Sequence, residues 1–178
     1  MESAKPNPPL FWGTLITIVA LDLVTKLIAA ATLRPQHIPH EIVGNHVRLT
    51  LVYNPGAAFG LNLGMYSRWI FMALTAGALV ILWRLYQATR QGDFIRVLAL
   101  GLVCGGAVGN LVDRIRSATG VVDFIDVGIG DLRWPTFNVA DMAVSVGAFL
   151  LAWVLWGEER TTAASVTAAP VSDTQTES

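Results

Sequence analysis

Four long apolar runs punctuate the chain, at positions 10–31, 69–86, 94–112 and 139–156. Crossing a bilayer as a helix takes roughly 17–25 residues, so each run is long enough. Trp12, Trp69, Trp83, Tyr86, Trp134, Trp153 and Trp156 lie near the ends of these runs, as the aromatic belts of the headgroup region do. The pattern predicts four transmembrane helices. It does not predict a cleaved leader in the first run, because only Lys5 precedes it, it is too long, and Asp22 and Lys26 interrupt it. Between the first two runs the period changes. Val47, Leu49, Leu51 and Tyr53 alternate with more polar neighbours, which predicts a half-buried strand over 46–53. Asn54-Pro-Gly56 then ends it.

The expected fold is therefore a mainly α integral membrane protein, with four transmembrane helices and a small β-sheet at the membrane surface. Four spans place both termini and the short link at 87–93 on one side. They place the longer connections, 32–68 and 113–138, on the other. Residues 1–157 form a single domain in this reading. Residues 158–178, rich in Thr, Ser and Ala, are expected to be a disordered tail.

Composition sharpens the class. The chain is 53% hydrophobic and only 14% charged, against about a quarter charged for a soluble domain. Net charge is −1 and no basic block occurs, so no nucleic-acid partner is expected. Lys and Arg do not set the orientation: Lys5, Arg84, Arg90, Arg96 and Arg160 lie on one side, and Arg34, Arg48, Arg68, Arg114, Arg116 and Arg133 on the other. Cys104, the single cysteine, reads as a small buried hydrophobe. His37, His40 and His46 share a loop but lack ligand spacing, so no metal and no cofactor is expected. Gly101, Gly105 and Gly109 recur every four residues and predict a close helix contact.

The polar residues within and beside the spans carry the candidate chemistry. A charge at the bilayer centre costs about 2.5–3.5 kcal/mol on insertion scales. Asp22 and Lys26, four apart on one helical face, form either an ion pair that fixes the first span or a support for a site. Asn110, Asp113 and Arg114 share a face at the end of the third span, where Arg114 can pair with Asp113 or reach outward. Asp141 falls in the first turn of the fourth helix, where the helix dipole favours a negative charge. Asp123 lies on the same side of the membrane, as do Asn54, Asn110, Arg114 and Asn138. Two carboxylates at one site suit peptide hydrolysis, because like charges at close range share one proton. The alternative is that these aspartates cap helices or bind Arg114 and Arg133.

The set of motifs closely resembles bacterial lipoprotein signal peptidase, also called signal peptidase II. The matching pieces are Asp22-x3-Lys26, Asn54-Pro-Gly-Ala-Ala-Phe-Gly60, Gly109-Asn-Leu-Val-Asp-Arg114, Gly120-Val-Val-Asp-Phe-Ile125 and Phe137-Asn-Val-Ala-Asp141. They stand in the family's order and spacing over residues 10–157. The resemblance implies an aspartic endopeptidase of the bacterial inner membrane, with cytoplasmic termini and an extracytoplasmic site and sheet. Its substrate would be a prolipoprotein already carrying diacylglyceryl on its lipobox cysteine, cut just before that cysteine. Asp123 and Asp141 match the family's catalytic aspartates. Asn54, Gly56, Asn110, Arg114, Asn138 and Ala140 match positions that line or support the site, and Asp22 and Lys26 match its polar pair. The implied partners are this substrate and membrane lipids, with the enzyme a monomer, and globomycin-class antibiotics block the site in the family. Asp126 and Asp131 lie in a variable stretch and receive no catalytic role. The competing class, a proton-coupled transporter, predicts acidic residues spread through the membrane depth and internal repeats. Only Asp22 lies deep, and no repeat is found.

Overall fold

A computed structural model describes residues 6–56 and 66–167. In chain order the elements are α1 (Pro8–Thr32), β1 (His40–Val43), β2 (Val47–Asn54), α2 (Ser67–Gln87), α3 (Phe94–Arg116), β3 (Val121–Ile129), β4 (Leu132–Arg133) and α4 (Val139–Thr167). The four helices are long and apolar enough to span a membrane, and the strands form one antiparallel sheet in the order β1-β2-β3-β4. Both agree with the fold expected from the sequence.

Local signals set the helix starts. The Asn7 side chain accepts from Leu10 N at 3.1 Å, and prolines occupy the first helical positions of α1. Asp93 caps α3 in the same way, accepting from Arg96 N at 3.2 Å. The far end of α4 departs from expectation. The helix runs on to Thr167, about ten residues into the stretch expected to be irregular. Glu158, Glu159, Arg160, Ala163 and Ala164 are good helix formers and continue a helix already nucleated by its membrane segment. The rest of that stretch, 168–178, lies outside the described residues, as do Ala57–Gly60 of the second motif.

Helix α3 is the central post. Half of its apolar window is buried inside the protein, against 6% for α2 and 17% for α1. It packs on all three other helices. The glycines expected to permit close packing do so against α1: a Cβ on Gly101 or Gly105 would come within 2.9 Å of the Cβ of Thr14 or Ile18. On another side, Gly106 lies against the backbone oxygen of Ala140 in α4. Large apolar side chains such as Ile16, Leu74 and Phe149 point outward, as helices solvated by lipid require.

The expected strand is β2. Strand β3 is a difference, since the sequence reading places a strand only in the first connection. Its burial falls on residues of both parities, Val121 and Asp123 as well as Phe124 and Asp126, rather than alternating, and both α1 and α3 pack on it. The period-2 signal is therefore lost. Ala29 of α1 and Leu33, its C-cap, pack with Leu51 and Phe124 in a small core that ties the sheet to the end of α1. Phe137 O accepts from Phe124 N (3.0 Å) and Ile125 N (2.8 Å), and Phe137 N donates to Ile125 O (3.0 Å). These bonds pin the start of α4 alongside β3.

Candidate active site

That pinning decides what meets at this end of the bundle. Asn138, one residue beyond Phe137, becomes the N-cap of α4. Its Oδ1 accepts from Asp141 N at 2.9 Å, and its own N donates to Asp141 Oδ2 at 3.2 Å. This reciprocal cap uses aspartate where glutamate or glutamine is usual. With Oδ1 occupied, the Asn138 amide must turn its Nδ2 away from the helix. There it donates to Asp123 Oδ1 on β3 at 2.6 Å. A single fully buried asparagine thus touches both carboxyl groups.

Two further asparagines follow the same logic. Asn54 ends β2, and its Oδ1 accepts from Gly56 N at 2.9 Å, so its Nδ2 faces Asp123 Oδ2 at 3.2 Å. Gly56 has φ +114°, and a Cβ there would lie 2.7 Å from the ring of Phe71. Only glycine makes this turn against that wall. On α3, Asn110 Oδ1 accepts from Lys26 Nζ at 2.8 Å, and Asn110 Nδ2 then donates to Asp141 Oδ1 at 2.8 Å. In each case an occupied oxygen settles which end of the amide faces the carboxyl group.

Lys26 is itself over-determined. It is 97% buried, and its ammonium meets Asp22 Oδ2 (2.7 Å), Asp113 Oδ2 (2.9 Å) and Asn110 Oδ1 (2.8 Å). One hydrogen bond and two ion pairs thus hold the ammonium. Fully buried Asp22 spends its other oxygen on Ala140 N at 2.9 Å, satisfying a first-turn donor of α4 that has no partner within its own helix. Gly109 makes room for this carboxyl group, since a Cβ there would lie 2.5 Å from Asp22 Oδ2. The two alternatives for Asp22 and Lys26 therefore merge, because the ion pair that fixes α1 also orients Asn110. Asp113, singled out in the sequence only as a partner for Arg114, belongs to Lys26 instead and also accepts from Val122 N at 3.3 Å. Its i+3 spacing from Asn110 was the available signal.

The electrostatics of the two carboxyl groups follow from this shell. Asp123 is 97% buried, and among the described residues it receives only neutral amides. Burial first, and the charge of Asp141 second, push its carboxyl up to about 7, against the pull of the Asn54 and Asn138 amides and of Lys26. Arg114, on the last turn of α3, stands in the field of Asp141, Asp123 and Asp113. Among the described residues its guanidinium pairs with no carboxylate. It donates to Asn110 O at 3.2 Å and lies 5.6 Å from the centre of the Phe71 ring.

A family model described as Signal peptidase (SPase) II matches residues 14–157. The chain belongs to the signal peptidase II family. A lipoprotein signal peptidase of Rhodococcus jostii is 40% identical over 160 residues, covering 84% of this chain and 76% of that protein. One from Hydrogenovibrio crunogenus is 43% identical over 144 residues, covering 79% and 80%. A solved structure of a bacterial membrane enzyme superimposes with a TM-score of 0.77 at 28% identity, covering 89% of this chain and 94% of that one. The signal peptidase II chain is thus a membrane peptidase, and its polar network lies within the matched region.

Proposed function

We propose that this signal peptidase II acts as an aspartic endopeptidase, with Asp123 and Asp141 as the catalytic pair. One observation carries the reading: two carboxyl groups from separate elements share Asn138, with every nearby amide turned to present N–H to them. Asp123, titrating near 7, holds the proton at rest. Asp141, at the start of α4, holds the charge, where the helix dipole stabilises it. The ionised carboxylate takes a proton from water, and the resulting hydroxide attacks the scissile carbonyl. The Asp123 proton moves to the carbonyl oxygen as its double bond opens to a tetrahedral gem-diol. Asp141 then returns its proton to the departing nitrogen. The C–N bond breaks as Asp123 takes back a proton from the diol, so both groups end as they began. Asn54, Asn110 and Asn138 hold the carboxyl groups in register, and Lys26 and Asp22 hold the asparagines.

The substrate in this reading is a prolipoprotein carrying diacylglyceryl on its lipobox cysteine, cut just before that residue. An apolar signal helix and lipid tails would remain in the bilayer and bring the scissile bond to the helix ends, where the polar network lies. We assign the termini to the cytoplasm and this end of the bundle to the extracytoplasmic face of the bacterial inner membrane. The test is cleavage of a diacylglyceryl-modified precursor by purified enzyme in proteoliposomes. Asp123→Asn and Asp141→Asn should each insert normally and fail to cut. Near-normal cleavage by either variant would refute the pair. Activity lost to a chelator and restored by zinc would point to a metallopeptidase instead.

A further inference from the structure

Arg114 raises a question that the catalytic pair alone does not answer. A guanidinium in the field of three carboxyl groups would ordinarily close onto one of them in a short, bidentate contact. It does not. We infer that Phe71 is a positioning residue of this peptidase, its ring holding the Arg114 guanidinium beside Asp123 and Asp141 but out of ion-pair contact with them.

Three restraints converge on Arg114. Its Nη1 donates to Asn110 O one turn back at 3.2 Å. Its backbone oxygen accepts from Arg68 Nε at 2.6 Å, and Arg68 Nη2 donates to Ile115 O at 3.1 Å, so a residue of α2 clamps the end of α3. The guanidinium carbon lies 5.6 Å from the Phe71 ring centre, within the range of cation–π attraction. The same ring walls Gly56, whose N–H orients the Asn54 amide towards Asp123. Phe71 thus touches both the cation and the turn that serves the buried carboxyl group.

Among the described residues, the charged groups around it leave Arg114 two places to go. Asp22 of α1 and Asp113 of α3 are engaged by Lys26, and Arg68 of α2 is spent on carbonyls. That leaves Asp123 of β3 and Asp141 of α4. Without the ring, the guanidinium would close on this pair. Asp123 would then release its proton at lower pH, and the proposed acid would be lost at working pH. Held back, Arg114 keeps its remaining donors free for a backbone carbonyl of the bound peptide.

This inference rests on the reading of Asp123 and Asp141 as the catalytic pair, and its test separates the two. The measurement is kcat/KM against pH for Phe71→Tyr and Phe71→Leu in proteoliposomes. Phe71→Tyr keeps the ring and should keep the wild-type alkaline limb. Phe71→Leu should move that limb to lower pH by about one unit. In an Arg114→Gln background the same change should move nothing, because no cation remains to collapse. An unshifted limb in Phe71→Leu, or an equal shift in both backgrounds, would overturn the role and leave ordinary packing. If Phe71→Leu does not insert, Phe71→Met, an unbranched side chain of similar volume, replaces it in the same measurements. Failure of the catalytic pair would appear elsewhere, as cleavage surviving Asp123→Asn.

Discussion

The two ends of β3 treat the same side chain in opposite ways. Asp123 and Asp126 are three residues apart and both buried. At the helix end, Asp123 meets two asparagine amides and the charge of Asp141, and its carboxyl titrates near 7. At the other end, burial also works to raise Asp126, but hydrogen bonds from Arg133, Arg48 and Thr50 outweigh it and hold that carboxyl below the usual range. Arg133 Nε and Nη2 reach Asp126 Oδ1 at 2.9 and 2.7 Å, and Arg48 Nε and Nη2 reach Oδ2 at 2.9 and 2.8 Å. Asp126 thereby clamps β2, β3 and the β4 hairpin. The lesson is that burial alone does not make a carboxylate reactive. Among the described residues, what distinguishes Asp123 is a shell of oriented neutral donors with no cation in contact, which in the proposed mechanism leaves a proton free to move.

Exchanging the two roles by mutation should break the comparison if it is wrong. Asp123→Asn should lower kcat by about a thousandfold or more, since the proposed acid–base group is gone, with a melting midpoint close to wild type. Asp126→Asn should do the reverse. It strands two guanidiniums and should cost about 3 kcal/mol of stability, read as a lower unfolding midpoint in detergent, while the folded fraction still cleaves. If Asp126→Asn lost activity without losing stability, the division between the two ends would fail.

Lys26→Met tests how far orientation travels. Asn110 Oδ1 would lose its shorter donor and keep only Asn138 Nδ2 at 3.2 Å, and activity should fall by about ten- to a hundredfold, in line with losses when supporting partners of a site are removed. Stability should also fall, because buried Asp22 and partly buried Asp113 are left without a cation.

Acidity separates the two ends further. The Asp123 proton should be lost through an alkaline limb of kcat/KM near 7. Asp126, whose folded pKa is depressed, contributes stability that is present above its unfolded value near 4 and is lost as pH falls through the lower folded value. Activity should therefore fade on the alkaline side while the sheet stays intact, and the sheet should weaken only in strong acid. The smallest effect is expected from Asn54→Ala. Removing one donor to Asp123 should raise its pKa further and move the alkaline limb upward by about half a unit, on the order of the net worth of one part-buried hydrogen bond. That direction is opposite to the one expected for Phe71→Leu.

Much of this was legible in the chain. The four spans and β2 follow from apolar run length and a change of period, since lipid and a half-buried sheet each impose their own spacing. The motifs around Asp22, Asn54, Asn110, Asp123 and Asp141 pointed to one end of the bundle through topology alone. Strand β3 was hidden because burial on both faces erases alternation. The partner of Asp113 was hidden because Lys26 lies on another helix, 87 positions earlier in the chain. Phe71 and Arg68 were read simply as part of an apolar run and as a loop cation.

The sequence by itself determined the membrane class, the helix count, and the residue types that chemistry at one bilayer boundary would need. Those are consequences of local composition and spacing, which act before any long-range contact forms. Only the tertiary structure decided which carboxyl group each amide meets. A side-chain amide has two different ends: a nearby backbone N–H takes up the oxygen of Asn54 (Gly56) and of Asn138 (Asp141), Lys26 of another helix takes up that of Asn110, and the remaining N–H end meets the carboxyl group that folding brings to it. The difference between Asp123 and Asp126 was likewise invisible in a string where both are aspartates on one strand. It arises from the sign of the charges that folding brings to each.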